Sequence, residues 1–196
     1  MSATESGFRD FYQEYMQETH DCLDMVSYDE MQTVCEVLWQ AYRAGKRAWV
    51  IGNGGSAATA IHFACCLSQG TAVEGKKPFR SEALVSNIAF LTAVGNDHGY
   101  DKVFEYQLRN CMSEGDVVIA ISCSGNSPNV VAAVDYANSW GGITVSFLGF
   151  SGGKLRETSH HVVHIDNFNY GQVETVHMSL AHLLSQHLKD RILLEG

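Results

Sequence analysis

The chain has 196 residues, a net charge of −9, 45% hydrophobic and 18% charged residues and two prolines, which is typical of a folded domain and not of a long disordered chain. Its densest basic group is Lys76, Lys77 and Arg80, so we expect no nucleic-acid partner, because phosphate backbones select strongly basic surfaces. No apolar stretch approaches the roughly 18 residues of a membrane helix, and residues 1–10 lack a secretory leader pattern, so we expect a cytoplasmic protein without a membrane partner.

Helices and strands are predicted to alternate along the chain. Apolar residues at helical spacing predict helices within residues 7–44, with Ser27 and Glu30 as a capping pair and Gly45 as the end. The predicted strands are 48–51, 82–85, 116–122, 142–148 and 161–165, and the predicted helices between and after them are 56–67, 127–139 and 171–192.

This alternation predicts an α/β fold with a parallel sheet covered by helices on both faces. We expect one domain over residues 1–196, made of a helical segment (1–45), an α/β core (46–170) and a closing helix (171–192). The carboxyl ends of parallel strands share one edge of the sheet, which is where such folds bind ligands.

The first loop at that edge is Gly52-Asn53-Gly54-Gly55-Ser56, between a predicted strand and a predicted helix. Glycines let the backbone approach an anion closely, and the start of a helix offers free N–H groups. The pattern matches neither the GxGxxG dinucleotide loop nor the P-loop. A tight turn with Ser56 as helix N-cap is the structural alternative.

The second loop is Ser122-Cys123-Ser124-Gly125-Asn126-Ser127, again between a buried strand and a helix, with Pro128 suited to the first helical turn. Three hydroxyls at a helix N-terminus make an anion cradle. A purely structural serine turn is the alternative, but two such loops after two core strands favour a phosphate-binding site.

Together the two loops resemble the SIS (sugar isomerase) domain, whose members bind phosphosugars with a Ser-x-Ser-Gly-Asn-Ser loop. Further segments, in order over roughly residues 10–190, resemble the phosphoheptose isomerases of that family. They are Gly52–Ser56, His62-Phe63-Ala64, Gly95-Asn96-Asp97, Gly152-Gly153-Lys154 and a closing helix with His177 and His182. The resemblance implies a three-layer domain with long N-terminal and C-terminal helices.

The resemblance also implies which residues bind a phosphorylated sugar. The phosphate would lie among the second loop's side chains and amides, at Ser122, Cys123, Ser124 and Ser127. Cys123 stands where a threonine is usual, so it lacks a hydroxyl but keeps its backbone N–H. The sugar would meet a second set on neighbouring segments, namely Asn53, Gly54, Ser56, Asn96 and Asp97.

Aldose–ketose isomerisation through an enediol(ate) needs one group that removes a proton beside the carbonyl and another that handles the oxygen's proton. In the family these are a glutamate and a histidine, which match positions 66 and 182. Position 66 is a cysteine here, and a thiol of pKa about 8.5 holds little thiolate at neutral pH unless its site lowers that pKa. The candidate catalytic residues are His182, Cys66, Glu174 and Asp97, with His98 as a possible further proton carrier.

Some family members bind a divalent metal, zinc in particular, and the matching ligands here are His62, Cys66, Glu174 and His182. His62 and Cys66, four residues apart, share a helix face, and so do Glu174 and His182, two turns apart. Imidazole, thiolate and carboxylate are all accepted by zinc. Compared with the family, this sequence has a cysteine in place of a glutamate at position 66 and a glutamate in place of an amide at position 174. Structural roles for these histidines remain the alternative.

The other cysteines and histidines are interpreted as structural. We expect reduced thiols, with Cys65 packed in the core. His177 lies five residues before His182, off its face, and is a weaker candidate. A last group surrounds a predicted strand, namely His160, His161 and His164.

Three functions stay open. The first is an isomerase of a heptose phosphate of the sedoheptulose 7-phosphate type, a homotetramer with its sites at subunit interfaces. The second is a non-catalytic SIS scaffold resembling the DnaA initiator-associating proteins, which the loss of glutamate at position 66 favours and the retained His182 disfavours. The third is a phosphosugar sensor, which ranks last because the sequence shows no DNA-binding segment.

Overall fold

A computed structural model describes the backbone of residues 3–195 and the side chains of residues 7–195. The predicted domain also includes positions 1, 2 and 196, which lie outside the described residues. The α-helices are Ala3–Asp24 (α1), Tyr28–Arg43 (α2), Gly54–Cys65 (α3), Ile88–Asp97 (α4), Glu105–Cys111 (α5), Pro128–Ser139 (α6), Leu155–Thr158 (α7) and Tyr170–Glu195 (α8). The strands are Arg47–Gly52 (β1), Arg80–Ala83 (β2), Val117–Ser122 (β3), Ile143–Leu148 (β4) and His161–His164 (β5).

The five strands form one parallel sheet in the order β2-β1-β3-β4-β5, which confirms the α/β prediction. The central strand β3 is buried along its whole length, and Ile119 stands in register with Val50 on one side and Val145 on the other. Because β1 and β3 run in the same direction, the loops that follow them lie at the same edge of the sheet.

Helices cover both faces of this sheet, as the three-layer prediction requires. On one face α2, α3 and α8 pack over strand residues such as Val50 and Phe147, and α1 lies along α8. On the other face α4, α5, α6 and α7 pack over a second apolar cluster that includes Trp49 and Phe104. Phe147 and Trp49, one from each cluster, are 1% exposed, and this close packing makes the sheet a rigid base for the loops at its edge.

Polar contacts fix the ends of the elements. The Ser27 hydroxyl accepts a hydrogen bond from Glu30 N at 3.3 Å, which confirms the predicted helix start. At the edge opposite the loops, the buried Asp116 carboxylate accepts from Arg47 N at 2.9 Å and from Trp49 Nε1 at 3.0 Å. This carboxylate ties β1 to the start of β3.

The structure differs from the sequence prediction at the second strand and at three helices. The second strand is Arg80–Ala83, two residues before the predicted 82–85, because residues 84–86 turn into a short 3₁₀ helix. Helices α4, α5 and α7 were not predicted, and α4 carries Asn96 and Asp97 at its C-terminal end. No helix among residues 3–195 is long and apolar enough to cross a membrane.

Candidate functional site

The serine loop, residues 122–127, turns sharply between β3 and α6 and is held by its own hydroxyls. Gly125 N donates to Ser122 Oγ at 3.1 Å, and Asn126 N donates to Ser124 Oγ at 3.3 Å. Gly125 has φ +61°, a left-handed conformation that glycine adopts without steric cost. Pro128 occupies the first helical turn, as predicted, so the loop ends directly at the N-terminus of α6.

A second turn, Gly152-Gly153-Lys154, supports the serine loop from behind. Lys154 N donates to Asn126 Oδ1 at 3.0 Å. A Cβ atom at Gly125 would collide with the backbone carbonyl of Gly152, so the two backbones touch directly. A Cβ atom at Gly153 would likewise collide with the Ser124 carbonyl, so one close backbone approach explains both Gly125 and Gly153.

The Gly-Asn-Gly-Gly-Ser loop faces the serine loop across the sheet edge. Asn53 exchanges two amide hydrogen bonds with Asn129 of α6, at 2.9 and 2.8 Å, and also accepts one from the Tyr100 hydroxyl at 3.0 Å. Helix α3 begins at Gly54, so Ser56 lies within its first turn and is not its N-cap. Ser56 is buried and lines the same cavity as Cys123.

A cavity of about 120 Å³ lies between these loops and the start of α8. Its lining is Asn53, Ser56, Ile121, Ser122, Cys123, Ser124, Ser127, Tyr170 and Glu174. Five of the lining residues were predicted to bind the sugar phosphate and carry a hydroxyl or amide group, namely Asn53, Ser56, Ser122, Ser124 and Ser127. The N-termini of α3 and α6 also lie at the cavity. Neutral donors and helix N-termini are what a phosphate group needs.

Glu174 adds one carboxylate to this cavity. It lies against Gly55, where any Cβ atom would collide with the carboxylate. Burial, together with the nearby Glu174 charge, raises the pKa of the Cys123 thiol to about 11, so Cys123 is a neutral thiol at physiological pH. Its contribution to anion binding is therefore its backbone.

A second cluster lies further along α3 and α8. His62 Nε2 is 3.3 Å from His182 Nε2 and 3.3 Å from Cys66 Sγ, and the ligand atoms of the three residues lie within 4.8 Å of one another. Burial raises the pKa of the Cys66 thiol, and the hydroxyl of Ser185 offsets part of this effect. We call these three residues the His/Cys cluster; among the described residues it is the group whose donors fit one metal ion.

The structure brings three of the four predicted metal ligands together and leaves Glu174 in the serine-loop cavity. Glu174 and His182 do share a face of α8, but eight residues of helix separate them by about 12 Å along its axis. A shared face therefore does not bring both side chains to one ion.

Asn96 and Asp97 lie at the exposed C-terminal end of α4, where the Asn96 amide donates to Asp97 Oδ1 at 2.8 Å. The adjacent His98 ring stacks on Tyr106, with centroids 4.5 Å apart. These three residues are not part of the cavity lining in the described structure. Tyr100, which binds Asn53, connects their segment to the first loop.

The cysteines and histidines predicted to be structural have different outcomes. Cys65 is exposed, so its predicted core position is wrong: the adjacent Cys66 takes the inward side of the helix. His160 accepts a hydrogen bond from Thr144 N at 3.1 Å, a structural role as predicted. His177 is 1% exposed, and its ring nitrogens have no hydrogen-bond partner among the described residues.

Sequence reasoning missed Tyr170 and Tyr100. Tyr170 is the first residue of α8 and lines the cavity four residues before Glu174. Neither tyrosine belongs to a motif, and only the arrival of α8 and of segment 99–102 at the sheet edge brings them to the site. The sequence pattern alone does not predict that these two segments pack at the sheet edge.

Comparison with known proteins matches the SIS domain profile to residues 12–149. The chain is 37% identical over 166 residues to a phosphoheptose isomerase of Mycobacterium tuberculosis, which covers 85% of this chain and 84% of that protein. It is 33% identical over 159 residues to the phosphoheptose isomerase of Aquifex aeolicus, covering 81% and 83% of the two chains. Among solved structures, phosphoheptose isomerase from Neisseria gonorrhoeae superposes with TM-score 0.86 at 26% identity, over 96% of this chain and 100% of that one.

Proposed function

Because this chain belongs to the phosphoheptose isomerases of the SIS domain family, we propose that it interconverts the aldose and ketose forms of a heptose phosphate of the sedoheptulose 7-phosphate type. The observation that carries the proposal is the serine-loop cavity, which offers hydroxyls and two helix N-termini to a phosphate group. The relatives are named as isomerases, so an enzyme is favoured over a non-catalytic scaffold or a phosphosugar sensor.

In the proposed complex the phosphate lies in the serine loop, against Ser122, Ser124 and Ser127 and the backbone N–H of Cys123. Asn53 is the anchor of the opposite wall, because Asn129 and Tyr100 hold its side chain in place. Sugar hydroxyls would bind a further group around the cavity and at its rim, namely Asn53, Gly54, Ser56, Asn96 and Asp97. A site held rigid before binding loses less entropy on binding.

The spacing of the cavity and the His/Cys cluster suits a long sugar. Gly55 contacts Glu174 and His62 contacts His182, so α3 and α8 run side by side in the same direction. Seven residues of α3 and eight of α8 separate the two contacts, about 10 to 12 Å of helix. An extended seven-carbon chain has six bonds of about 1.5 Å besides its phosphate ester, which is a comparable length. The carbonyl end would therefore reach the cluster while the phosphate stays in the serine loop.

Isomerisation moves a proton between two neighbouring carbons through an enediol(ate), with a second proton moving between their oxygens. We assign proton transfer at the carbonyl end to His182 Nε2 and to Cys66 Sγ. Both atoms lie 3.3 Å from His62 Nε2. Because burial raises the pKa of Cys66, its thiol stays protonated at neutral pH unless a cation is bound. Glu174 and Asp97 are the carboxylates available to the sugar hydroxyls and to proton transfer nearer the phosphate.

The His/Cys cluster fits a zinc ion by its donor chemistry, two imidazoles and one thiol. Nitrogen ligands about 2.0 Å from a tetrahedral ion lie about 3.3 Å apart, which matches the His62–His182 distance. Zinc, when bound, would supply a Lewis acid for the carbonyl oxygen. His182 would then be a ligand, and a base at the carbonyl end would have to come from a carboxylate that moves to the cluster. Glu174 would need to move toward the cluster to become a fourth ligand.

We also propose that the enzyme is a cytoplasmic homotetramer with its sites at subunit interfaces. The support is an apolar stripe along α1, where side chains at helical spacing are more than half exposed: Phe8, Phe11, Tyr12 and Met16. Contiguous exposed apolar side chains commonly mark a surface that another protein chain covers. Light scattering of the purified protein should give four times the chain mass of 21.6 kDa; a monomer would contradict this assembly.

The function is tested by incubating the zinc-loaded protein with sedoheptulose 7-phosphate and following the products by NMR. We expect a new aldose heptose phosphate, and much slower conversion of the six-carbon fructose 6-phosphate, whose carbonyl would stop short of the cluster. Binding of sedoheptulose 7-phosphate without any conversion would overturn the isomerase and support a binding protein instead.

A further inference from the structure

Three aromatic side chains form a group that reaches the serine-loop cavity through Tyr170: Phe150 contacts both Phe168 and Tyr170, and we call the three the aromatic trio. The Phe150 ring stacks on Phe168 with centroids 5.3 Å apart and meets Tyr170 edge to face at 4.7 Å. Only Tyr170 lines the cavity itself. Phe168 and Tyr170 are 71% and 58% exposed, so the trio presents an aromatic surface to the solvent beside a polar pocket.

Phe150 occupies an unusual backbone conformation. Its φ is +50°, and among the described residues it is the only one other than glycine with a positive φ. Such a conformation is strained for a bulky residue and persists only where the surroundings enforce it. Here Phe150 N donates to Asn167 O at 3.0 Å, and the His164 ring lies 2.8 Å from Phe150 O. The strained backbone aims the ring at Tyr170.

Tyr170 and Glu174 form one wall of the cavity, because residues four apart lie on the same face of a helix. The wall is chemically divided: the Tyr170 ring is apolar, whereas Glu174 offers a carboxylate. A sugar carbon chain has the same division, with C–H groups that pack on an aromatic face and hydroxyls that donate to a carboxylate. Inorganic phosphate has no C–H groups and gains nothing from the ring.

We propose that Tyr170 contacts the carbon chain of the substrate beside its phosphate, and that Phe150 is a positioning residue that holds the Tyr170 ring there. The inference rests on the proposed function and deepens it, because it assigns the discrimination between a sugar phosphate and free phosphate to the aromatic trio. The serine loop binds the phosphate, and the Tyr170 ring contacts the carbon chain attached to it.

The test compares two ligands on the same full-length variants by calorimetry, sedoheptulose 7-phosphate and inorganic phosphate. Tyr170→Ala should weaken the sugar phosphate roughly tenfold while the Kd of inorganic phosphate stays within about twofold. Tyr170→Phe keeps the ring and should bind both ligands like the wild type. Trp140→Ala is the matched control, since Trp140 is 56% exposed but lies at the C-terminal end of α6, away from the serine loop.

The positioning role of Phe150 is tested separately. Phe150→Leu should raise KM for the sugar phosphate with kcat nearly unchanged, and Phe150→Tyr, which restores a ring, should return KM to the wild-type value. A purely structural role would lower Tm and shift both ligands alike, and that result would overturn the positioning role.

Three outcomes overturn the inference for Tyr170. One is that Tyr170→Ala weakens both ligands equally, which makes Tyr170 a part of the phosphate pocket only. Another is that neither Kd changes. The third is that the sugar phosphate weakens only because light scattering shows a dissociated assembly, which makes the trio a contact between subunits. A failure of the isomerase proposal looks different, since the wild type would then bind sugar phosphate without turning it over.

Discussion

The serine-loop cavity and the His/Cys cluster are built by different means. The cavity depends on backbone: left-handed glycine at 125, a direct contact between two turns, and two helix N-termini. The cluster depends on three side chains that project from two helices running in parallel. A backbone site tolerates few substitutions, whereas a side-chain site can exchange one ligand for another without any change in the fold.

His182→Ala should have the largest effect on catalysis, because it removes either a proton-transfer group or a metal ligand at the carbonyl end. We expect kcat to fall by roughly 10²- to 10⁴-fold with the Kd of inorganic phosphate unchanged. His187→Ala, five residues further along the same helix, is the control and should retain activity. An active His182→Ala enzyme would remove the cluster from the reaction.

Gly125→Ala should damage the other region. The new Cβ would collide with the Gly152 carbonyl at a backbone φ of +61°, so the serine loop would have to open. We expect both inorganic phosphate and sugar phosphate to bind at least about 100-fold more weakly. Gly7→Ala, where no other atom lies within 4 Å, is the control and should change neither binding nor Tm by much. Intact phosphate binding in Gly125→Ala would contradict the assignment of the phosphate to the serine loop.

Cys66→Ser and Cys65→Ser separate two adjacent thiols that differ in burial and contacts. Zinc affinity, measured by competition with a chromogenic chelator, should fall about tenfold or more in Cys66→Ser, because a hydroxyl is a poor substitute for a thiolate ligand. Cys65→Ser should bind zinc like the wild type, since Cys65 is exposed and outside the cluster. Equal zinc binding by all three proteins would exclude Cys66 as a ligand.

The smallest effect concerns His177, which belongs to neither region. Burial lowers its pKa to about 4, an effect that the nearby Leu148 backbone offsets only in part. The unfolded chain takes up a proton at His177 below about pH 6.5, but the folded chain does so only near pH 4. This group therefore removes stability as the pH falls, up to about 3 kcal/mol by pH 4. Relative to the wild type, His177→Leu should gain stability between pH 6.5 and 4 in urea unfolding; a constant difference would contradict this account.

The serine loop could be predicted from sequence because its turn needs particular residues at fixed positions: Gly125 for the left-handed conformation, and Ser122 and Ser124 for the hydroxyls that accept backbone hydrogen bonds. The cluster could be predicted only in part. Helical periodicity gave the shared faces of His62 with Cys66 and of Glu174 with His182, but it holds no information on the height at which two helices meet. That height decides that Glu174 lies at the cavity and not at the cluster.

The central claim is that one heptose phosphate spans both regions and exchanges a proton at the end away from its phosphate. The most direct measurement is incubation of the zinc-loaded enzyme with sedoheptulose 7-phosphate in D₂O, followed by ¹H NMR of the protons beside the carbonyl. We expect the signal of the C1 protons to fall as deuterium enters through the 1,2-enediol(ate), while the C3 proton is kept, and we expect His182→Ala to slow this loss. Unchanged signals from a protein that calorimetry shows to bind the same sugar phosphate would contradict the account.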